Sequence, residues 1–264
     1  MLRWAGLIGS AYNAKVEVLH VDWMDYPAYF LPSQANELAI EAKRNRETLN
    51  EKLLAMAREN LGPNIVQDTS IVEGHPIEAI LKYSEKRRFD LIVMGSHGRS
   101  GVARMRLGSV AENVVRQAAI PTLVVRKSSD EIQKPKISRV LCPVNFTEPG
   151  FRCIEMSGSV AAVFGAELVV MHSIEQQYAD LEETRDHLCQ SVPETTRNHC
   201  VVTESVTQGS AAEQILLTAR EQSIDLIVLA AQHHPLLEFT TLGSTTERVM
   251  RHADSAVLVF PGQQ

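Results

Sequence analysis

Gly95-Ser-His-Gly-Arg-Ser-Gly-Val-Ala-Arg-Met-Arg-Leu-Gly-Ser109 is the stretch whose reading decides the fold. It follows a short apolar run, Leu91-Ile92-Val93-Met94, bounded by Asp90 and Gly95, which reads as a buried strand. It precedes Val110 to Ala119, whose apolar residues recur at helical spacing. The order is strand, glycine-rich loop, helix. The first N–H groups of such a helix have no intrahelical acceptor and can hold an anion, usually phosphate. In the spacing Gly95-x2-Gly98-x9-Gly108-Ser109, glycines at 95 and 98 allow a positive φ or a close approach that a Cβ would block. Gly108 brings the chain near the ligand, and Ser109 can cap the helix and donate its hydroxyl to a phosphate oxygen. A loop whose glycines serve turns only fits equally well on spacing alone. No Gly-Lys-Ser/Thr follows, so this is not a Walker loop.

The flanking sequence alternates between the two periods. Lys15 to Val21 alternates and is β-branched, Ser33 is placed to cap a helix reaching about Asn60, and Ile65 to Val72 is strand-like. Gly74-His75-Pro76 opens a helix through about Lys86, and Pro121 to Arg126 closes the set as a strand. Leu38, Ala42, Leu49, Leu53 and Met56 mark the expected buried stripe of the long helix. Strands alternating with helices imply an α/β fold, a doubly wound parallel sheet with a ligand at the carboxyl ends of its strands. The loop at 95–109 leaves that end.

Composition narrows the classes. A net charge of −6 provides no basic surface for nucleic acid, and no apolar run approaches the length that crosses a bilayer. The four cysteines, Cys142, Cys153, Cys189 and Cys200, are widely spaced with no CxxC pair, which fits a reducing cytoplasm better than a disulfide or zinc framework. Lys127 to Ser138 is polar, carries Pro135 and reads as a linker, giving domains at 1–127 and 138–264. After it the pattern repeats. Gly108-Ser109 returns as Gly243-Ser244, an offset of 135, and so do Asp90 as Asp225, Leu91-Ile-Val93 as Leu226-Ile-Val228 and Glu112 as Glu247. Lys15 to His20 returns as Glu167 to His172 at a larger offset. The chain is a duplication.

The ordered set Leu91-Ile-Val-Met-Gly-Ser-His-Gly-Arg99, Gly108-Ser-Val-Ala-Glu-Asn-Val114 and Ala119-Ile-Pro-Thr-Leu-Val-Val125 closely resembles the universal stress protein family. Both halves look like it, so the chain resembles a tandem member. The resemblance implies two adenine nucleotide alpha hydrolase-like domains, each a parallel sheet in the order 3-2-1-4-5 with helices on both faces. Many members bind ATP, with phosphates on the glycine loop and adenine near the ends of the first two strands; others with altered loops do not. Carried over by motif, Gly95, Gly98, Gly108 and Ser109 would cradle phosphates, His97 and Val110 would add contacts, and Val21 would line the adenine pocket. Arg99 can steady a phosphate, against the ordinary reading of a solvated loop arginine. Mg2+ would accompany ATP. Family dimers often pair through their last strands, so the implied partners are an adenine nucleotide and either an intramolecular pseudo-dimer or a homodimer.

The chain departs from the family pattern in two places. The family's first strand normally ends in an aspartate with Ser or Thr two residues later, and that Asp contacts the nucleotide; the second half has Asn145 there, in Val140-Leu-Cys-Pro-Val-Asn-Phe-Thr147. Aligning His20 with His172 sets Met1 opposite Cys153, so the first half lacks that central strand and its Asp. The expected reason is a start placed downstream of the true one; the alternatives are direct closure of the flanking strands or a strand from another chain. In the second loop, Ala230 and His233 replace Gly95 and Gly98 and Pro235 stiffens what remains, which predicts no family-type ATP binding in domain 2. His233-His234 with His172 do not complete a metal site. The favoured function is a stress-response regulator that binds ATP through domain 1, and the alternative is a nucleotide-independent scaffold acting by dimerisation. An enzyme ranks last, at most a slow ATPase, because no general base, Walker lysine or acidic metal pair accompanies the loop.

Overall fold

Two periodicities, two residues in the β-branched runs and about 3.6 between them, set the element order along the chain. The computed structural model describes residues 1–23, 32–62, 65, 67–96, 107–126, 134–175, 180–231 and 243–261, with backbone alone for 32–45 and 67. They fall into two compact units, Leu2–Arg88 and Phe89–Gln264, the second also holding Met1.

The first unit contains α1 (Leu2–Ala11), β1 (Val16–Asp22), α2 (Pro32–Leu61), β2 (Gln67–Glu73) and α3 (Pro76–Arg87). β1 and β2 pair in parallel from Val16↔Gln67 to Asp22↔Glu73. α1 crosses α2 at Gly6, where a Cβ would lie 2.6 Å from the Leu61 carbonyl oxygen, so only glycine permits that approach. The α2 stripe differs from the expectation. Met56 is 50% exposed, while Ala57 and Leu61 are buried and Leu49 and Leu53 half-buried. The core face follows 49, 53, 57 and 61, a spacing of four that leaves 56 a quarter-turn away. Leu38 and Ala42 lie outside the described side chains. α3 begins with Pro76 at its first turn and stops at Arg88, whose left-handed φ of 54° returns its N–H to the Ser84 and Glu85 carbonyls.

The second unit contains β3 (Ile92–Gly95), α4 (Ser109–Gln117), β4 (Thr122–Val125), β5 (Arg139–Pro143), α5 (Glu148–Phe164) and β6 (Glu167–Ile174). It continues through α6 (Leu181–Ser191), α7 (Glu194–His199), β7 (Val202–Gln208), α8 (Ala211–Glu221), β8 (Leu226–Ala230), α9 (Ser244–His252) and β9 (Ala256–Phe260). Its seven-stranded sheet runs β3-β4-β9-β8-β5-β6-β7. The second repeat, β5 to β9, has the expected order 3-2-1-4-5. Where the first repeat has one long helix, the second has α6 and α7, divided at Pro193, which has no N–H to continue a helical ladder. β4 and β9, the last strands of the two repeats, pair antiparallel at Thr122↔Val259, Leu123↔Leu258 and Val124↔Val257. One apolar cluster holds Leu107, Ala111, Val115 and Val124 together with Leu141, Ile227, Val249 and Val257. The compact units therefore divide at Arg88, whereas the sequence repeat divides at the 127–138 linker.

In the first unit Glu17 has a side chain only 6% exposed. It accepts from Ser70 Oγ and Tyr83 Oη, each at 2.5 Å, and from Arg87 at 3.1 Å. Desolvation pushes its carboxyl up, but the bonds from Ser70, Tyr83 and Arg87 outweigh this and hold it below the ordinary value. A lowered folded pKa favours folding in the ionised form. That stability is complete above the unfolded carboxylate range and is lost as pH falls through the folded value. Glu17→Gln should cost about 1–3 kcal/mol in denaturant unfolding near neutral pH. It should also flatten the loss of stability on acidification; an unchanged acid limb would show that Glu17 is not its source.

Candidate functional site

The glycine loop starts from the carboxyl end of β3. Gly95 is the last residue of that strand, opposite Val125. Ser96 N–H donates to the Val125 carbonyl at 2.9 Å, and Gly108 N–H donates to the Ser96 carbonyl at 2.7 Å. Ser96 and Gly108, the two described ends of the loop, therefore meet beside the sheet. His97, Gly98 and Arg99 lie outside the described residues. Gly108 is the N-cap of α4 with φ −67° and ψ 140°, a conformation open to any residue, so its value lies in the missing side chain rather than in backbone freedom.

The expected Ser109 cap does not form. Ser109 does not precede the helix but is its first residue, and α4 has no side-chain cap bond. Glu112 N–H is taken by the Gly108 carbonyl at 3.0 Å, which leaves the N–H groups of Ser109, Val110 and Ala111 without intrahelical acceptors. Ser109 is exposed and Val110 half-buried. The Glu112 carboxylate, which would repel an anion near this end, is paired with Arg116 at 2.8 Å and Arg251 at 3.9 Å. The helix start thus offers donors and a hydroxyl with its nearby negative charge offset. Val21 lies in the other unit, half-buried and opposite Val72 near the end of β1.

The equivalent region of the second repeat has a different chemistry. A cavity of about 540 Å³ opens at the carboxyl ends of β5 and β6, lined among others by Asn145, Phe146, His172, Glu175, Glu183 and His187. No lysine or arginine is among its described lining residues. Phe146 adopts a left-handed φ of 55°, a conformation costing about 1–2 kcal/mol for a non-glycine residue. Its ring lies between His172 and His187, with centroids 4.2 Å away on each side. His172 Nδ1 is 2.8 Å from the Val144 carbonyl, which can only accept, so Nδ1 carries the proton. Glu175 accepts from Ala211 N–H at the start of α8 at 2.9 Å. The ring stack was not foreseen from sequence. Its signal was Asn145-Phe-Thr147 itself, because the left-handed residue falls inside the altered turn. The substituted loop residues His233 and Pro235 lie outside the described residues.

Asn145 Oδ1 accepts from Thr147 Oγ1 at 2.7 Å, and a Cβ on Gly150 would lie 2.9 Å from the same Oδ1. Gly150→Ala should therefore cost about 1–2 kcal/mol by crowding this turn. In the Asn145→Ala background the penalty should shrink. Equal penalties in a double-mutant cycle would show that the contact does not govern the turn.

The profile of the universal stress protein family matches residues 1–126 and 136–261. A universal stress protein of Methanocaldococcus jannaschii is 37% identical over 126 residues, 47% of this chain and 72% of its own length. A second from that organism is 39% identical over 94 residues, 36% of this chain and 54% of its own length. The crystal structure of a universal stress protein from Archaeoglobus fulgidus superimposes with a TM-score of 0.71, covering 98% of this chain and 92% of that one; at 23% identity this is a likeness of fold. No described helix is long and apolar enough to cross a membrane.

Proposed function

The chain belongs to the universal stress protein family, and on that premise we propose that it is an adenine-nucleotide-binding regulator of the stress response, with ATP held by the first repeat. The observation that carries this reading is the closed loop mouth. Gly108 N–H bonded to the Ser96 carbonyl brings the strand end and the uncapped start of α4 together. Phosphate oxygens would take the N–H groups of Ser109, Val110 and Ala111 and the Ser109 hydroxyl. Gly95 and Gly98 would keep the approach clear, with His97 and Arg99 next to them in the loop sequence. The donors suit phosphate bound as its Mg2+ complex, because backbone amides add no competing charge. The repeats at 1–127 and 138–264 are the two family domains in this reading, and cytoplasmic residence accords with the unpaired cysteines.

The second repeat supports an asymmetric division of labour. Its cavity has carboxylates and no lysine or arginine among its described lining, which disfavours a polyphosphate. The scaffold alternative draws on the β4–β9 ladder, which joins the last strands of the repeats within one chain. Mass spectrometry of gently purified protein and titration calorimetry with MgATP separate the readings. Bound adenine nucleotide is expected, with affinity weakened about fivefold in Ser109→Ala and binding abolished in Gly98→Val. No released nucleotide, and no thermal shift at millimolar ATP, would leave the scaffold reading.

A further inference from the structure

The cavity of the second repeat has no part in nucleotide binding by the first, yet it has the size and lining of a ligand site. Its volume of about 540 Å³ lies within the ordinary range for small-molecule pockets. It forms inside one compact unit, from the carboxyl ends of β5 and β6 and the first turns of α6, α8 and α9. Val144, Met171, Ile174 and Ile215, all buried, give it an apolar wall. The Phe146 ring, covered on its two faces by His172 and His187, ties the ends of β5 and β6 to α6. That part of the wall is built before any ligand arrives.

The charges on the lining favour one sign of ligand. Elsewhere in this repeat Glu148, Glu167, Glu204, Glu213 and Glu247 each pair with an arginine at 2.5–3.7 Å. Glu175 and Glu183 line the cavity and have no cationic partner among the described residues. Glu175 accepts the Ala211 N–H, which leaves its charge unneutralised. The chain between β8 and α9 carries no lysine or arginine, whereas residues 95–109 of the first repeat carry Arg99, Arg104 and Arg106. With the Nδ1 proton of His172 directed at the Val144 carbonyl, Nε2 of the neutral ring is an acceptor. The opposing influence comes from the starts of α8 and α9, where Ala211 and Thr245 also line the cavity. Each amounts to about half a positive charge, so together they fall short of two full carboxylates.

We propose that this cavity binds a small organic cation, an ammonium or guanidinium group on an apolar body. The cationic head donates to Glu175, Glu183 and His172 Nε2, and the body lies against Val144, Ile174 and Ile215. An anion of the same shape would meet two carboxylates with no arginine or lysine to offset them, so the lining selects by repulsion as well as attraction. The site is separate from the phosphate donors of α4, and it stands or falls independently of nucleotide binding by the first repeat.

The test uses the whole 264-residue chain and probes that share a phenyl body: phenethylamine, 2-phenylethanol and 3-phenylpropionate. Titration calorimetry at low salt, with MgATP present throughout, should show saturable one-to-one binding of the amine. The alcohol should bind about tenfold more weakly, and the carboxylate should not bind. Glu175→Gln and Glu183→Gln keep the side-chain shape and an acceptor oxygen while removing the charge. Each should weaken amine binding about fivefold and leave the alcohol unchanged. Unchanged melting of Glu183→Gln keeps the result readable if Glu175→Gln loosens the start of α8. No saturation at millimolar amine, equal affinity for the probes, or unchanged amine affinity in both variants would overturn the proposal. So would preferential binding of 3-phenylpropionate, which would assign the cavity to anions held at the start of α9.

Discussion

The antiparallel pairing of β4 with β9 is the constraint on which the larger unit depends. A parallel sheet built by alternating strands and helices ends in a strand with one row of unpaired N–H and C=O groups. Each repeat has such a strand, and here the two rows satisfy each other. Thr122, Leu123, Val124 and Val125 are 1–5% exposed, although β4 is only four residues long. The charges around the seam obey the same symmetry. Arg116 pairs with Glu112, Arg251 pairs with Glu247, and Arg251 also reaches Glu112 at 3.9 Å. Arg126 bonds the His252 and Ala253 carbonyls at the end of α9, each at 3.4 Å. These partly exposed pairs contribute little energy singly, but their shared offset shows that the seam joins equivalent surfaces.

That seam explains how the functional parts are distributed. It places β3, the glycine-loop ends and α4 in one sheet and core with the whole second repeat. The first-repeat helix start keeps uncapped donors, an exposed serine and offset acidic charge. Its counterpart region in the second repeat has a phenylalanine held between two histidines and a cavity with carboxylates among its lining residues. Duplication supplied two frames, and a few substitutions at strand ends gave them different chemistries.

Much of this was legible in the sequence because it is local. β-branched runs became strands, Pro76 opened a helix, and the order 3-2-1-4-5 that the family resemblance implied holds in the second repeat. What was missed needs information from outside a window. The exposure of Met56 depends on where α1 crosses α2. Ser109 was read as a cap because capping residues and first-turn residues share one alphabet. The compact units could not be read from the linker, since a pairing between residues 122 and 259 leaves no trace in the composition around residue 130. The left-handed turn at Phe146 breaks a local rule at the site where the second repeat leaves the family pattern.

The most direct test of the seam is native-state hydrogen exchange at the amides that cross it. By ladder alternation these are Thr122 and Val124 on β4 and Val257 and Val259 on β9. If the seam holds the repeats in one cooperative sheet, all four should exchange at the same opening free energy as the central strands β5 and β6. Exchange of Thr122 and Val124 orders of magnitude faster, with β5 and β6 still protected, would show that the last strands do not hold the unit together.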